Sequence, residues 1–287
     1  MNEYTGGEHI LVNRYRLLEL AGCGGISCVY AAFDSKENRK VAAKLLRRDR
    51  QPSPDQIQHF LAGARFGAQL SHPHLVKTLD HGEDPQHGPF WIMEFLEGES
   101  LDHHIRNLPE LPESFVRAIG SQVASCLMHI HEHDMLHGDI KPENIILTRG
   151  PFEPWAVVLD FVPMRRIDDW LSLHVTREYL PPEIFSGAKP NPAADAFALG
   201  VLLHELTFGT LPSFLESGEL ALPLERRTIS PTLAAFLFGL LSFTPRDRLI
   251  ALADLARMDA SGEFETAQPP VRPQQAPILF EPLDVLN

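Results

Sequence analysis

The run His137-Gly138-Asp139-Ile140-Lys141-Pro142-Glu143-Asn144, followed at once by the apolar Ile145-Ile146-Leu147, constrains this chain more than any other stretch. It sets an acid, a base and an amide on one polar loop that leads into a strand-like run. Asp139 can accept a proton from a hydroxyl, Lys141 can neutralise charge on a transferring phosphoryl group, and the side-chain carbonyl of Asn144 can bind Mg²⁺. Such a loop suits phosphate chemistry, with a plain helix-to-strand turn as the lesser alternative when it is taken alone. Its neighbours decide between the two.

Upstream, Gly22-Cys23-Gly24-Gly25-Ile26-Ser27-Cys28-Val29-Tyr30 is a glycine-rich turn after a strand that starts at Tyr15, and such a turn lets main-chain N–H groups approach phosphates. Val41-Ala42-Ala43-Lys44 follows as a second basic-ended strand, and Phe90-Trp91-Ile92-Met93-Glu94-Phe95-Leu96 runs from a strand into a polar turn. Downstream, Val157-Val158-Leu159-Asp160-Phe161 is an apolar strand ending in an acid, and Thr176-Arg177-Glu178-Tyr179-Leu180-Pro181-Pro182-Glu183 comes after it. In this order the segments resemble the phosphate loop, lysine strand, hinge, catalytic loop, metal-binding segment and activation-segment end of the protein kinases, in the bacterial Ser/Thr type that carries Lys141. The resemblance spans residues 11–258. It implies that Asp139 orients and deprotonates a hydroxyl, that Lys44 and Lys141 steady phosphate charge, that Thr176 hydrogen-bonds the Asp and Lys, and that Asn144 and Asp160 hold Mg²⁺. It further implies that Gly22, Gly24, Val29, Ala42, Met93 (as gatekeeper), Glu94, Leu96 and Ile146 line the ATP site.

Several positions depart from the family pattern. Gly138 replaces an Arg that would receive a phosphorylated activation loop, so phosphate on Ser172 or Thr176 is not expected to regulate the chain. Ser27 stands for the third glycine, Ile26 for an aromatic and Val162 for the glycine after Asp160-Phe161. The helical spacing of Ile57, Phe60, Leu61, Ala64 and Ala68 predicts a helix over 55–70. Counted back from His72-Pro73, the family's glutamate partner of Lys44 falls on Gly63, and no acid lies between Asp55 and Asp80. Gly63 and Gly67 either mark a lost carboxylate or let a neighbour pack closely. Arg248 matches the Arg that pairs with Glu183, and the short stretch between Phe214 and Leu233 leaves little of a substrate-docking helix.

The chain's 287 residues, 44% of them hydrophobic, suffice for two lobes, and the net charge of −13 argues against a nucleic-acid or anionic-membrane surface. Cys23, Cys28 and Cys126 are an odd count without metal-type spacing, so no disulfide framework and a reducing, cytoplasmic setting are expected. The Met1–Gly7 start has no leader-like pattern, and no apolar run is long enough to cross a membrane. His129 and His133 are spaced i, i+4 on a predicted helix over 115–133, but the pattern around them is not that of a zinc protease. The expected fold is α+β, a bilobal protein kinase with a small β-rich N-lobe (11–93) and a larger helical C-lobe (94–258), after an extension (1–10) and before a Pro/Gln linker with an apolar end (259–287). The expected function is ATP- and Mg²⁺-dependent Ser/Thr protein kinase, with a protein substrate or regulatory partner. Gly63, Ser27 and Val162 motivate a nucleotide-binding pseudokinase as the alternative, and His-Gly-Asp a small-molecule phosphotransferase, against which Lys141 and the 176–183 segment argue.

Overall fold

A computed structural model describes residues 9–107, 111–149, 154–160, 176–215, 220–225 and 227–258. Val162, Ser172 and the 259–287 tail therefore lie outside the described residues. Strands β1 (Ile10–Leu11), β2 (Tyr15–Cys23), β3 (Ser27–Asp34), β4 (Arg39–Leu46), β5 (Thr78–Asp84) and β6 (Gly88–Glu94) form an antiparallel sheet in the order β1-β2-β3-β4-β6-β5. Its side chains alternate with the period of a strand. Cys28, Tyr30, Ala32, Val41, Ala43, Leu45, Phe90 and Ile92 make one hydrophobic cluster on the outer face. Leu46, Trp91 and Met93 belong to the larger cluster on the other face.

Helix α1 (Pro54–Gly67) packs on that inner face. Ser53 caps it through a reciprocal box with Gln56, Pro54 occupies its first turn, and its buried residues Phe60, Gly63, Ala64 and Gly67 recur at helical spacing. It ends three residues earlier than the sequence pattern predicts, because the chain after Gly67 turns toward the His72-Pro73 bend.

The second unit begins with β7 (Gly98–Ser100) and α2 (Leu101–Asn107), a helix too short to show periodicity in the sequence. Helix α3 (Glu113–Glu132) buries Val116, Ile119, Val123, Leu127 and Ile130 along one stripe. Strands β8 (Ile145–Arg149) and β9 (Pro154–Val158) join β7 in a three-stranded sheet. The short α4 (Pro182–Phe185) precedes α5 (Pro192–Phe208), which is buried almost all round and stands at the centre of the helical unit. Asn191 caps its start and Gly209, at φ +70°, ends it. Strands β10 (Ser213–Phe214) and β11 (Leu220–Ala221) form a two-stranded ribbon, and α6 (Pro231–Leu240) and α7 (Pro245–Ala256) complete the unit. The described residues between Phe214 and Leu233 thus hold a strand ribbon and only the start of α6.

One sequence expectation is overturned. Cys23 and Cys28 form a disulfide across the β2–β3 hairpin, with Cα atoms 4.1 Å apart. Spacing along the chain concealed this, because it is strand register that sets the two cysteines opposite each other, on either side of a turn closed by Gly24 N–H to Ser27 O at 2.8 Å. Only Cys126, buried in α3, is free.

Candidate active site

Strand alternation gathers the residues of the expected nucleotide site. Val29 pairs with Lys44 and Lys44 with Trp91, while Ala42 pairs with Met93, so these five side chains share the inner sheet face. Met93 is buried in the large cluster. Gly22, paired with Val29, lies within β2, so the glycine turn is confined to Gly24–Ser27. Glu94 ends β6, its N–H committed to Lys77 O at 3.0 Å, and Leu96 follows in the irregular connection toward β7. On β8, Ile145 and Leu147 enter the core while Ile146 takes the opposite face.

Beneath that face the polar loop folds back on itself. Asn144 Nδ2 donates to the Asp139 main-chain O at 2.8 Å and to its Oδ2 at 2.9 Å. Lys141 Nζ lies 2.7 Å from Asp139 Oδ2 and donates to Thr176 Oγ1 at 3.2 Å, which joins the loop to the end of the activation segment. A hydrogen bond from Thr176 to Asp139 is absent among the described residues. Asp160 adopts φ +52° and accepts from Lys44 Nζ at 2.6 Å. Lys44 therefore meets a carboxylate after all, though not on α1, where Gly63 is buried. Leu159 ties the two acidic segments together: its N–H donates to Asn144 O and its carbonyl accepts from His137 Nε2, both at 2.8 Å.

Two residues that sequence reasoning did not assign to the site hold the loop in shape. Asp195, opening α5 and 2% exposed, accepts from the main-chain N–H of His137 at 2.9 Å, from that of Gly138 at 2.8 Å, and from the His131 ring at 2.8 Å. Burial alone would push this carboxyl up, but the His131 ring, His137 and the Gly138 N–H outweigh it and hold it below the usual carboxylate range. Burial has the upper hand at His137, whose imidazole is held below its ordinary value. The signal for His131 was absent because 64 residues separate it from Asp195. Gly138 sits at φ +80°, a conformation that glycine adopts without the penalty a side chain would carry. Further out, the fully buried Arg248 reaches both oxygens of Glu183 at 2.8 and 2.9 Å, and the Tyr179 hydroxyl donates to Glu205. Among the described residues no group of three or more His, Cys, Asp and Glu side chains is placed to hold a metal ion.

The protein kinase domain model matches residues 15–256. The chain is 32% identical over 252 residues to the serine/threonine-protein kinase pkn2 of Myxococcus xanthus, covering 83% of this chain and 30% of that protein. It is 30% identical over 211 residues to PknA of Mycobacterium tuberculosis, covering 70% of this chain and 48% of PknA, and 32% identical over 206 residues to PrkC of Bacillus subtilis, covering 69% and 31%. The matched part thus spans less than half of each of these relatives. Among solved structures, the kinase domain of M. tuberculosis PknI superposes with a TM-score of 0.70 at 24% identity, covering 88% of this chain and 96% of that one, a likeness of fold. With the motifs in order, the sheet and helical units in place and relatives of one kind across most of its length, this chain belongs to the protein kinase family, in its bacterial Ser/Thr branch.

Proposed function

We propose that this domain transfers the γ-phosphoryl group of ATP to a Ser or Thr hydroxyl of a protein substrate. The observation that carries the reading is the single hydrogen-bonded cluster of Asp139, Lys141, Asn144 and Thr176, tied through Leu159 to Asp160 and its partner Lys44. Asp139, fixed by Asn144, accepts the proton of the attacking hydroxyl. Lys141, held between Asp139 and Thr176, meets charge that develops on the transferred group, and Lys44 meets the phosphates from the sheet side. The donor set fits Mg²⁺, since Asp160 offers hard carboxylate oxygens and Asn144, whose amide nitrogen is taken by Asp139, offers its amide oxygen. When bound there, Mg²⁺ supplies neutralisation of phosphate charge. Gly22 and Gly24, which carry no side chain, let the hairpin come close over the phosphates, and Val29, Ala42, Met93, Ile146 and the Glu94–Leu96 connection enclose the base. Where position 63 supplies no carboxylate, Lys44 pairs with Asp160. No helix among the described residues is long and apolar enough to cross a membrane.

Asp139→Asn tests the assignment. It should lower phosphoryl transfer to a generic protein substrate by about 10²–10⁴-fold while Mg²⁺-ATP still raises the melting temperature, and Asp160→Ala should remove that rise. A wild-type protein whose melting temperature ignores Mg²⁺-ATP would defeat the proposal.

A further inference from the structure

Lys44 has two partners among the described residues, and only one of them belongs to the proposed metal site. Asp160 holds Nζ at 2.6 Å, and the Trp91 ring lies beneath it with Nζ 5.6 Å from the ring centroid. The ring belongs to the residue directly across the β4–β6 ladder from Lys44. The indole is itself held in place. It is 3% exposed, its Nε1 donates to Thr78 Oγ1 at 2.9 Å, and the Phe60 ring of α1 meets it nearly edge-on, at 80° and 6.3 Å between centroids. Phe60 stands one turn before Gly63 on the buried stripe of α1, and the positions that follow on that stripe are Gly63, Ala64 and Gly67. Small residues there let the helix approach a sheet face that already carries a large ring.

We propose that Trp91 is the positioning residue for Lys44, doing from the sheet what a helix carboxylate at position 63 would do. An ammonium over an indole face is attracted by the ring quadrupole, and the attraction grows where water is excluded, as it is here with the Lys44 side chain 13% exposed. When Asp160 turns to a metal ion, that attraction keeps Lys44 directed at the cleft without adding a second negative charge.

The consequence for nucleotide rests on the kinase reading, so the test has one arm that does not. In protein carrying ¹³C-labelled lysine, the Lys44 side-chain ε-methylene resonance, assigned with Lys44→Arg, should be shifted upfield by the Trp91 ring current in the absence of any nucleotide. It should return to the ordinary position in Trp91→Leu and stay partly shifted in Trp91→Phe. An unshifted resonance in the wild type, or one unmoved by either substitution, overturns the proposal. In the second arm Trp91→Leu should weaken Mg²⁺-ATP binding by about tenfold, about 1.4 kcal/mol, and should do so only where Lys44 is present. An equal loss in the Lys44→Met background would show that Trp91 acts through packing alone and would also overturn the proposal. Should Trp91→Leu fail to fold, Trp91→Phe, which preserves a smaller ring face, carries both arms with smaller effects of the same sign. Wild type that binds no Mg²⁺-ATP would defeat the kinase reading, and the resonance arm would still decide the role of Trp91.

Discussion

Asp195 shows how much a single buried carboxylate can decide without touching a substrate. Three donors converge on it, two of them main-chain N–H groups of the loop that carries Asp139, so the loop's conformation depends on a side chain 57 and 58 residues further along the chain. Its carboxyl is held below the ordinary carboxylate range, which makes it a source of stability with a defined pH window. For a depressed carboxylate the contribution is complete above the unfolded-state value of about 3.9 and is lost as pH falls through the lower folded value. Asp195→Asn should therefore cost about 2–4 kcal/mol at neutral pH, from weakened bonds to donors left buried, and the gap between variant and wild type should close below pH 4. Urea titrations at pH 7 and at successively lower pH measure it, and a gap that stays constant with pH would contradict the role given to the charge. Gly138 belongs to the same device, because its φ of +80° lets both N–H groups point at one carboxylate.

At the scale of elements, the β2–β3 hairpin governs the candidate phosphate loop. Its turn is only four residues long between the half-cystines, and the disulfide, the Gly24–Ser27 hydrogen bond and the bond from Arg47 N to Ile26 O all act on it. Closing so short a loop covalently removes unfolded-state entropy worth about 2 kcal/mol. Reduction with dithiothreitol should lower the melting temperature by several degrees, and the Cys23→Ser, Cys28→Ser double variant should melt like the reduced protein whether or not a reductant is added. Thiol titration of the unfolded protein supplies the second check: the oxidised chain should expose one reactive thiol, that of Cys126, and the reduced chain three. A different element, α4, owes its place to Arg248 of α7. That guanidinium also donates to main-chain carbonyls of Ser242, Ala193 and Phe243, so removal of Glu183 would leave a buried cation with only dipoles for company.

For the molecule as a whole, the hydrophobic core does not stop at the boundary between the sheet and the helical unit. One cluster joins Leu46, Phe60, Trp91 and Met93 of the sheet side to Ile119, Leu127, Leu199 and Leu252 of the helical side, and among the described residues only the outer sheet face has a cluster of its own. The Lys44–Asp160 pair and the β-bridge between Leu75 and Val158 cross the same divide. A core shared in this way couples the stability of the two units, so urea unfolding should be a single transition. Indole fluorescence, which includes Trp91 on the sheet side and Trp155 on the helical side, and far-UV circular dichroism should give coincident curves, and Mg²⁺-ATP should move both together. Two separated transitions would show that the outer sheet cluster is enough to hold the small unit alone.

What the sequence determined by itself is what travels along the chain at short range. The loop from His137 to Asn144 could be read because its chemistry is contiguous, and the family resemblance named Val29, Ala42, Lys44 and Met93, which the strands' two-residue period sets on one face. The existence of α1, α3 and α5 was legible from apolar spacing, with boundaries off by a few residues where caps and turns decide. The tertiary structure decided everything that depends on which distant groups meet in a shared low-dielectric space. It brought Asp160 and Trp91 to Lys44 and His131 to Asp195, and hairpin register set Cys23 opposite Cys28. Spacing along a chain carries no record of these meetings, because each is fixed by how closely helices and sheet approach, and that depth of packing is set by the whole set of side chains at the contact and not by any one stretch of sequence.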